Sequence, residues 1–176
     1  MEAQNKKIYT IGHSTHPIDE FIDILKHYSI EVLIDIRSLP GSRKFPQFNK
    51  ENLEISMPNS GIEYVHLLGL GGRRRVRKDS TNNRWHNDSF KGYADYMETK
   101  EFEISINMLE DIAKNKMSCY MCAEVLWWRC HRSMVSDYLK NNNWEVLHIL
   151  SKNSTQQHKY TEPAQIINGK LTYSDT

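Results

Sequence analysis

Cys130, His131 and Arg132 stand in a row, and a thiol, an imidazole and a guanidinium in succession carry the means for nucleophilic attack, proton transfer and anion capture. If the triplet opens a helix, the unpaired N–H groups at that end favour an anion and lower the pKa of a thiol. Adjacency in sequence does not place thiol and imidazole in a hydrogen bond, so Cys130 reads either as a nucleophile or as a half-buried structural thiol. Other ionisable groups close short apolar runs: His13 and Ser14 follow Ile8–Ile11, Asp35 and Arg37 end Val32–Ile36, and Glu124 follows Met117–Ala123. Glu124 or Asp35 would serve as general base or acid and His13 as a second proton carrier or orienting group. Arg37 would anchor substrate or tune the carboxylates. The competing reading is an ion-pair network of Asp35, Arg37, Glu124 and Arg132 that only holds the fold, because buried charges must be partnered.

Cys119-Tyr120-Met121-Cys122 has the C-x-x-C spacing of metal and redox sites. In a strand those two side chains face opposite sides and cannot chelate together, so Cys119 reads as a core residue. Cys122, Cys130, His131 and His13 could supply zinc ligands but lack a zinc-site spacing, and no metal is expected. The run Arg73-Arg74-Arg75-Val76-Arg77-Lys78, with Phe45, Phe48, Trp85, Trp127 and Trp128, could hold a nucleotide or a single strand by charge and stacking. Read blandly, it is a solvated loop beside core aromatics. With Arg37, Arg43 and Arg132 close to a polar pocket, the balance favours an anionic ligand.

Elements that could bring these residues together are legible in the apolar periodicity. Ile8–Ile11 and Val32–Ile36 read as strands, and between them Ile18, Phe21, Ile22 and Leu25 share a helix face behind Pro17, Asp19 and Glu20. Near-continuous apolar character in the second strand indicates a sheet covered on both faces. A right-handed βαβ unit with parallel strands follows. The stretch Ser38–Phe48 is too rich in Pro and Gly for a regular element. Asn49 could cap a short helix ending before Pro58, and Ile62–His66 reads as a third strand. From Leu68 to about Gly92 no period is sustained, which suggests a mobile excursion or lid. A helical stretch from near Tyr93 reaches Lys114, Met117–Ala123 reads as a strand, Cys130–Leu139 as a helix and Glu145–Leu150 as a last strand. Asn168-Gly169 marks a small terminal hairpin. In such a sheet, ligands bind outside the carboxyl ends of the strands, where His13, Asp35, Arg37, Glu124 and Cys130 would meet.

With 176 residues, 39% hydrophobic and 26% charged, the chain fits one folded domain of 1–176, with a core of about 7–150 and a tail of about 151–176. No apolar run is long enough for a membrane span, and Met1–Lys7 lacks the apolar stretch of a signal peptide. A cytoplasmic protein without membrane contact is expected. Three cysteines in a reducing compartment do not make a disulfide framework. A net charge of +1 gives no global attraction to nucleic acid, so such binding would need the local basic run.

These motifs, taken in order, resemble the domain-of-unknown-function family 488. The likeness lies in Tyr9-Thr10-Ile11-Gly12-His13-Ser14, in Asp35-Ile36-Arg37 with Pro40, Ser42-Arg43 and Pro46-Gln47-Phe48, and in Leu70-Gly71-Gly72. It continues in Phe90–Met97, in Cys122-Ala123-Glu124 with Cys130-His131-Arg132, and at His148 and His158, so that it runs from Ile8 to about Tyr173. The resemblance implies a Rossmann-like α/β fold and a cluster of polar residues at these positions, with no activity attached. Where a proline commonly precedes the Cys-His-Arg triplet, this chain has Trp127-Trp128-Arg129. Cys119 lies outside the family's pattern.

The expectation is therefore an α/β protein with a Rossmann-like, open, mostly parallel sheet flanked by helices, a long irregular basic loop and a small C-terminal hairpin. The function expected is an enzyme acting on an anionic, phosphate-bearing or nucleotide-like substrate by hydrolytic or glycosyl-cleaving acid–base chemistry. His13, Asp35, Glu124, Cys130 and His131 are the catalytic candidates, and Ser14, Arg37, Arg43, Arg73, Arg74, Arg75 and Arg132 the anion-binding ones. No cofactor is expected. The alternatives are a non-catalytic module that binds nucleic acid or a nucleotide, and a zinc-stabilised interaction protein.

Overall fold

A computed structural model describes residues 6–175; residues 1–5, on which the reading of no leader partly rests, lie outside the described residues. Strands β1 (Lys7–Gly12), β2 (Val32–Asp35), β3 (Glu63–His66), β4 (Ser118–Cys122), β5 (Glu145–Ser151) and β6 (Ser154–Gln157) form one sheet in the order β3-β2-β4-β1-β5-β6. All neighbouring pairs are parallel except β5 with β6. Helices α1 (Ile18–His27), α2 (Lys50–Asn59), α3 (Asp88–Tyr96), α4 (Lys100–Asn115) and α5 (Arg132–Asn141) cover it, and β7 (Gln165–Ile167) with β8 (Lys170–Thr172) makes a separate hairpin. Among the described residues, no helix is long and apolar enough to cross a membrane.

Each central strand is apolar on both sides because each side has its own helical layer. Tyr9, Ile11, Leu33, Cys119 and Met121 pack with Phe21, Ile24 and Leu25 of α1 and Leu53 and Met57 of α2. Ile8, Val32, Ile34 and Tyr120 pack on the other side with Tyr93, Phe102, Ile106, Met134 and Val135. The chain thus leaves β1 toward one face and β4 toward the opposite face. Since β1 and β4 are neighbours, a crevice opens between their carboxyl ends, the position where open α/β sheets bind ligands.

Several local expectations need correction. Helix α2 runs past Pro58 to Asn59, because a proline in the last turn removes only one terminal hydrogen bond. The Asn49 side chain makes no cap and accepts instead from Ser42 N at 2.6 Å. The helical stretch around Tyr93 is two helices, with Thr99 Oγ1 capping the second through Phe102 N. Strand β6, formed by polar residues at the sheet edge, carries no apolar signal and was not expected.

The basic excursion is irregular but tethered, so it is not a free lid. Asp95 of α3 accepts from Arg77 N, Ser80 Oγ and Asn82 Nδ2 at 2.6–2.8 Å, and these donors hold its carboxyl below the usual range against the effect of burial. Gly92 lets the excursion lie on α3, since a Cβ there would stand 2.1 Å from the Arg74 carbonyl oxygen. The terminal hairpin turns through Asn168 and Gly169, both at positive φ (52° and 77°), as an Asn-Gly turn requires.

Candidate active site

Gly12 brings the ends of β1 and β4 together: a Cβ there would sit 1.9 Å from the Glu124 carbonyl oxygen. Without one, His13 N donates to Cys122 O at 2.9 Å and Ser14 N to Ala123 O at 3.1 Å. The crevice above is a cavity of about 650 Å³ whose walls include His13, Ser14, Ser38, Arg73, Cys122, Glu124, Arg129, Cys130 and His131.

Arg37 forms part of the floor, and Asp35 holds it from behind. Arg37 directs Nε and Nη2 to Asp35 at 2.9 and 2.7 Å, Nη2 also to the Phe48 carbonyl at 2.6 Å, and Nη1 to His13 Nε2 at 3.2 Å. Asp35 is fully buried, accepts a further hydrogen bond from Tyr64 O–H, and does not line the cavity. His13 stacks on Phe48 with ring centroids 4.2 Å apart. Its Nδ1–H donates to Ser14 O at 2.8 Å and its Nε2 accepts from Arg37, so both nitrogens of the neutral ring are occupied. Burial, reinforced by the Arg37 charge, lowers its pKa to about 4.

His131 differs. Its Nε2–H donates to Ile36 O at 2.8 Å, which leaves Nδ1 as an acceptor on the cavity wall. Gly72 passes close by; a Cβ at that position would reach 3.0 Å from Nδ1. Burial lowers the His131 pKa to about 4, helped by Arg132 and Arg74, so this ring too is neutral. Its partner is Ile36, and no hydrogen bond joins it to Cys130.

Cys130 instead meets Cys122, with the two Sγ atoms 2.8 Å apart. Arg132 begins α5 directly behind them and is almost wholly buried. Its Nη2 donates to the carbonyls of Glu124 and Val125 at 2.8 and 3.2 Å and its Nη1 to Thr10 Oγ1 at 3.0 Å. These acceptors pull the guanidinium behind the cavity wall, so Arg132 does not face the cavity as an anion clamp would. From Thr10 a buried chain continues: Thr10 Oγ1 to His148 Nδ1 at 2.6 Å, His148 Nε2 to His158 Nδ1 at 2.8 Å, and His158 Nε2 to Asp137 Oδ1 at 2.8 Å. One proton arrangement satisfies every link, with each group donating toward Asp137. That carboxylate also accepts from Thr161 N, Thr161 Oγ1 and Tyr173 O–H.

The remaining sequence candidates separate cleanly. Glu124 lies just beyond the end of β4, is exposed, and lines the cavity. It is the one carboxylate of the lining among the described residues, and no ion pair or hydrogen bond restrains its oxygens there. Ser14 and Arg73 also face the cavity, each at positive φ. Arg74 turns away and lies 3.6 Å over the Tyr96 ring, while Arg43 and Arg75 are exposed outside the cavity. Sequence reasoning missed Arg129, Ser38, Asn87 and Ser89, which line the cavity from loops and a helix start. It placed Cys122 in a C-x-x-C spacing and among possible zinc ligands, and not among the site residues. Among the described residues, no three His, Cys, Asp or Glu side chains converge as a metal-binding group.

The architecture is a mostly parallel α/β sheet with a polar crevice at its switch point. The chain belongs to the family described as Domain of unknown function DUF488, whose model matches residues 17–139. That span includes Asp35, Arg37, the basic run and the Cys-His-Arg triplet; the His13 motif, His148 and His158 fall outside it. No curated protein and no solved structure matches the chain.

Proposed function

We propose that the protein is an enzyme that acts on an anionic, phosphate-bearing or nucleotide-like substrate by acid–base hydrolytic or glycosyl-cleaving chemistry. The observation that carries this reading is the unrestrained carboxylate of Glu124 sharing one cavity with the exposed guanidinium groups of Arg73 and Arg129. Two cations on the rim attract and orient a phosphate, and a free carboxylate beside it takes a proton from water or gives one to a leaving group. The acceptor Nδ1 of His131 is a second proton-handling group. Because both His13 nitrogens are occupied, its role is to orient Arg37, and Asp35 fixes that arginine from below. Ser14 contributes a hydroxyl to the polar wall.

The nucleic-acid module is less well supported. Of the basic run, Arg74 stacks on Tyr96 and Arg77 pairs with Asp79 and Glu98, which leaves no continuous cationic track along Arg73–Lys78.

The test is hydrolysis of p-nitrophenyl phosphate, bis-p-nitrophenyl phosphate and a set of nucleoside 5′-monophosphates, followed as released nitrophenol, phosphate or free base. Turnover of at least one compound is expected, with a loss of about 10²–10⁴-fold in Glu124→Gln and a native melting transition. Equal turnover in wild type and variant, or none by wild type across the set, contradicts the reading.

A further inference from the structure

Arg132 is among the largest fully buried side chains in the molecule, and among the described residues no carboxylate contacts it. A guanidinium taken out of water requires a compensating anion. Its neutral acceptors, Thr10 and the carbonyls of Glu124 and Val125, supply dipoles only, and its Nε–H has no partner. Asp137, a fully buried carboxylate, is held at the far end of the histidine chain, and Asp35, also fully buried, pairs with Arg37. The ionisable groups that bear most strongly on the guanidinium are the sulfurs of Cys122 and Cys130, followed by Tyr120. Arg132 N, at the start of α5, also points at Cys130 Sγ from 3.4 Å.

We propose that Cys122 and Cys130 form a redox-active dithiol that reacts with low-molecular-weight disulfides, one sulfur attacking as the thiolate and the other resolving. The pair carries one negative charge as the counterion of Arg132, and the remaining S–H lies between the two sulfurs, 2.8 Å apart. Burial alone would push both thiols up, but the Arg132 charge and the shared S–H favour a single thiolate on the pair. Both sulfurs line the cavity, and a disulfide bond of about 2.05 Å needs only a small closure from the present spacing. The histidine chain locks Thr10, and through it Nη1 of Arg132, so Arg132 is a positioning residue whose place does not depend on a ligand.

The reaction balances. The thiolate of the pair attacks one sulfur of an external disulfide RSSR, forming a mixed disulfide with the protein and releasing RS⁻. The released thiolate takes the proton of the second cysteine of the pair, whose thiolate then attacks the protein sulfur of the mixed disulfide and expels the second RS⁻, which is protonated by water. The protein loses two electrons and the external disulfide becomes two thiols. Cys119 sits in the core on the opposite face of β4 with its thiol pushed up by burial, so it serves as an internal control.

The wild-type protein is incubated under native conditions with glutathione disulfide, quenched in acid, and analysed by thiol counting and peptide mass spectrometry. The expected result is loss of two of the three thiols, a Cys122–Cys130 cross-link and unmodified Cys119. Cys130→Ser and Cys122→Ser should each yield no cross-link and stop at a glutathione adduct on the cysteine of the pair that remains. Retention of all three thiols, or an adduct confined to Cys119, overturns the proposal. A measurement without any variant is the pH dependence of native alkylation by iodoacetamide: a midpoint below that of an ordinary thiol is expected within the Cys122–Cys130 pair, and an ordinary midpoint at both sulfurs overturns it. The proposal is read by thiol count and not by turnover, so it stands or falls apart from the acid–base function.

Discussion

Nη1 of Arg37 donates to Nε2 of His13 at 3.2 Å, so the imidazole at the end of β1 accepts from a cation instead of being one. That bond ties β1 to the end of β2 across the intervening β4 and fixes the tautomer with its proton on Nδ1.

A pH dependence follows. The His13 pKa is lowered to about 4 from an ordinary 6.5, so the unfolded chain binds this proton first on acidification. The stabilisation is complete above about pH 6.5 and is lost progressively as pH falls toward 4, on the order of 3 kcal/mol for this one group. His131, lowered in the same sense, adds to the same window. Urea denaturation at successive pH values, paired with imidazole NMR titration, checks this; a His13 signal that titrates near pH 6.5 would contradict it.

The close approach at Gly12 predicts a large penalty for one methyl group. With the Glu124 carbonyl 1.9 Å from the added Cβ, Gly12→Ala must part β1 from the loop after β4, at a cost of about 3 kcal/mol or more. Chemical denaturation gives the value. Gly41→Ala, where nothing lies within 4 Å of the new carbon, is the matched control and should differ little from wild type.

Asp137 is expected to be a main fixed point of the carboxyl half. Asp137→Asn leaves the shape but removes the charge that His158, Thr161 and Tyr173 address, at a cost of about 3 kcal/mol. Thermal melting should show one weakened transition, together with faster amide exchange in β8 and around Thr161.

Much of this arrangement was readable from residue patterns. The βαβ start, the unbroken apolar character of β2 and the polar residues at strand ends followed from periodicity alone, because helical cover on both faces imposes that pattern. Asp35 and Arg37, both read at the end of the second strand, are joined in an ion pair. What periodicity could not give was depth. Arg132 and Arg129 are the same residue type three positions apart, yet carbonyls draw one behind the wall and leave the other on the rim. The pairing of Cys122 with Cys130 depends on the turn at Trp127–Arg129, which brings the start of α5 back over the end of β4. The buried chain from Thr10 to Asp137 joins residues far apart in sequence and left no local signal beyond the family likeness at His148 and His158.

The central claim is that the crevice between β1 and β4 receives an anionic ligand, and titration of ¹⁵N-labelled protein with adenosine 5′-monophosphate tests it most directly. The amides of Gly72, Arg73, Glu124, Arg129 and His131 should shift together and saturably, with weaker binding in Arg73→Ala and Arg129→Ala and at higher salt. Shifts confined to Arg75–Lys78, or no saturable shifts in the crevice, would contradict the account.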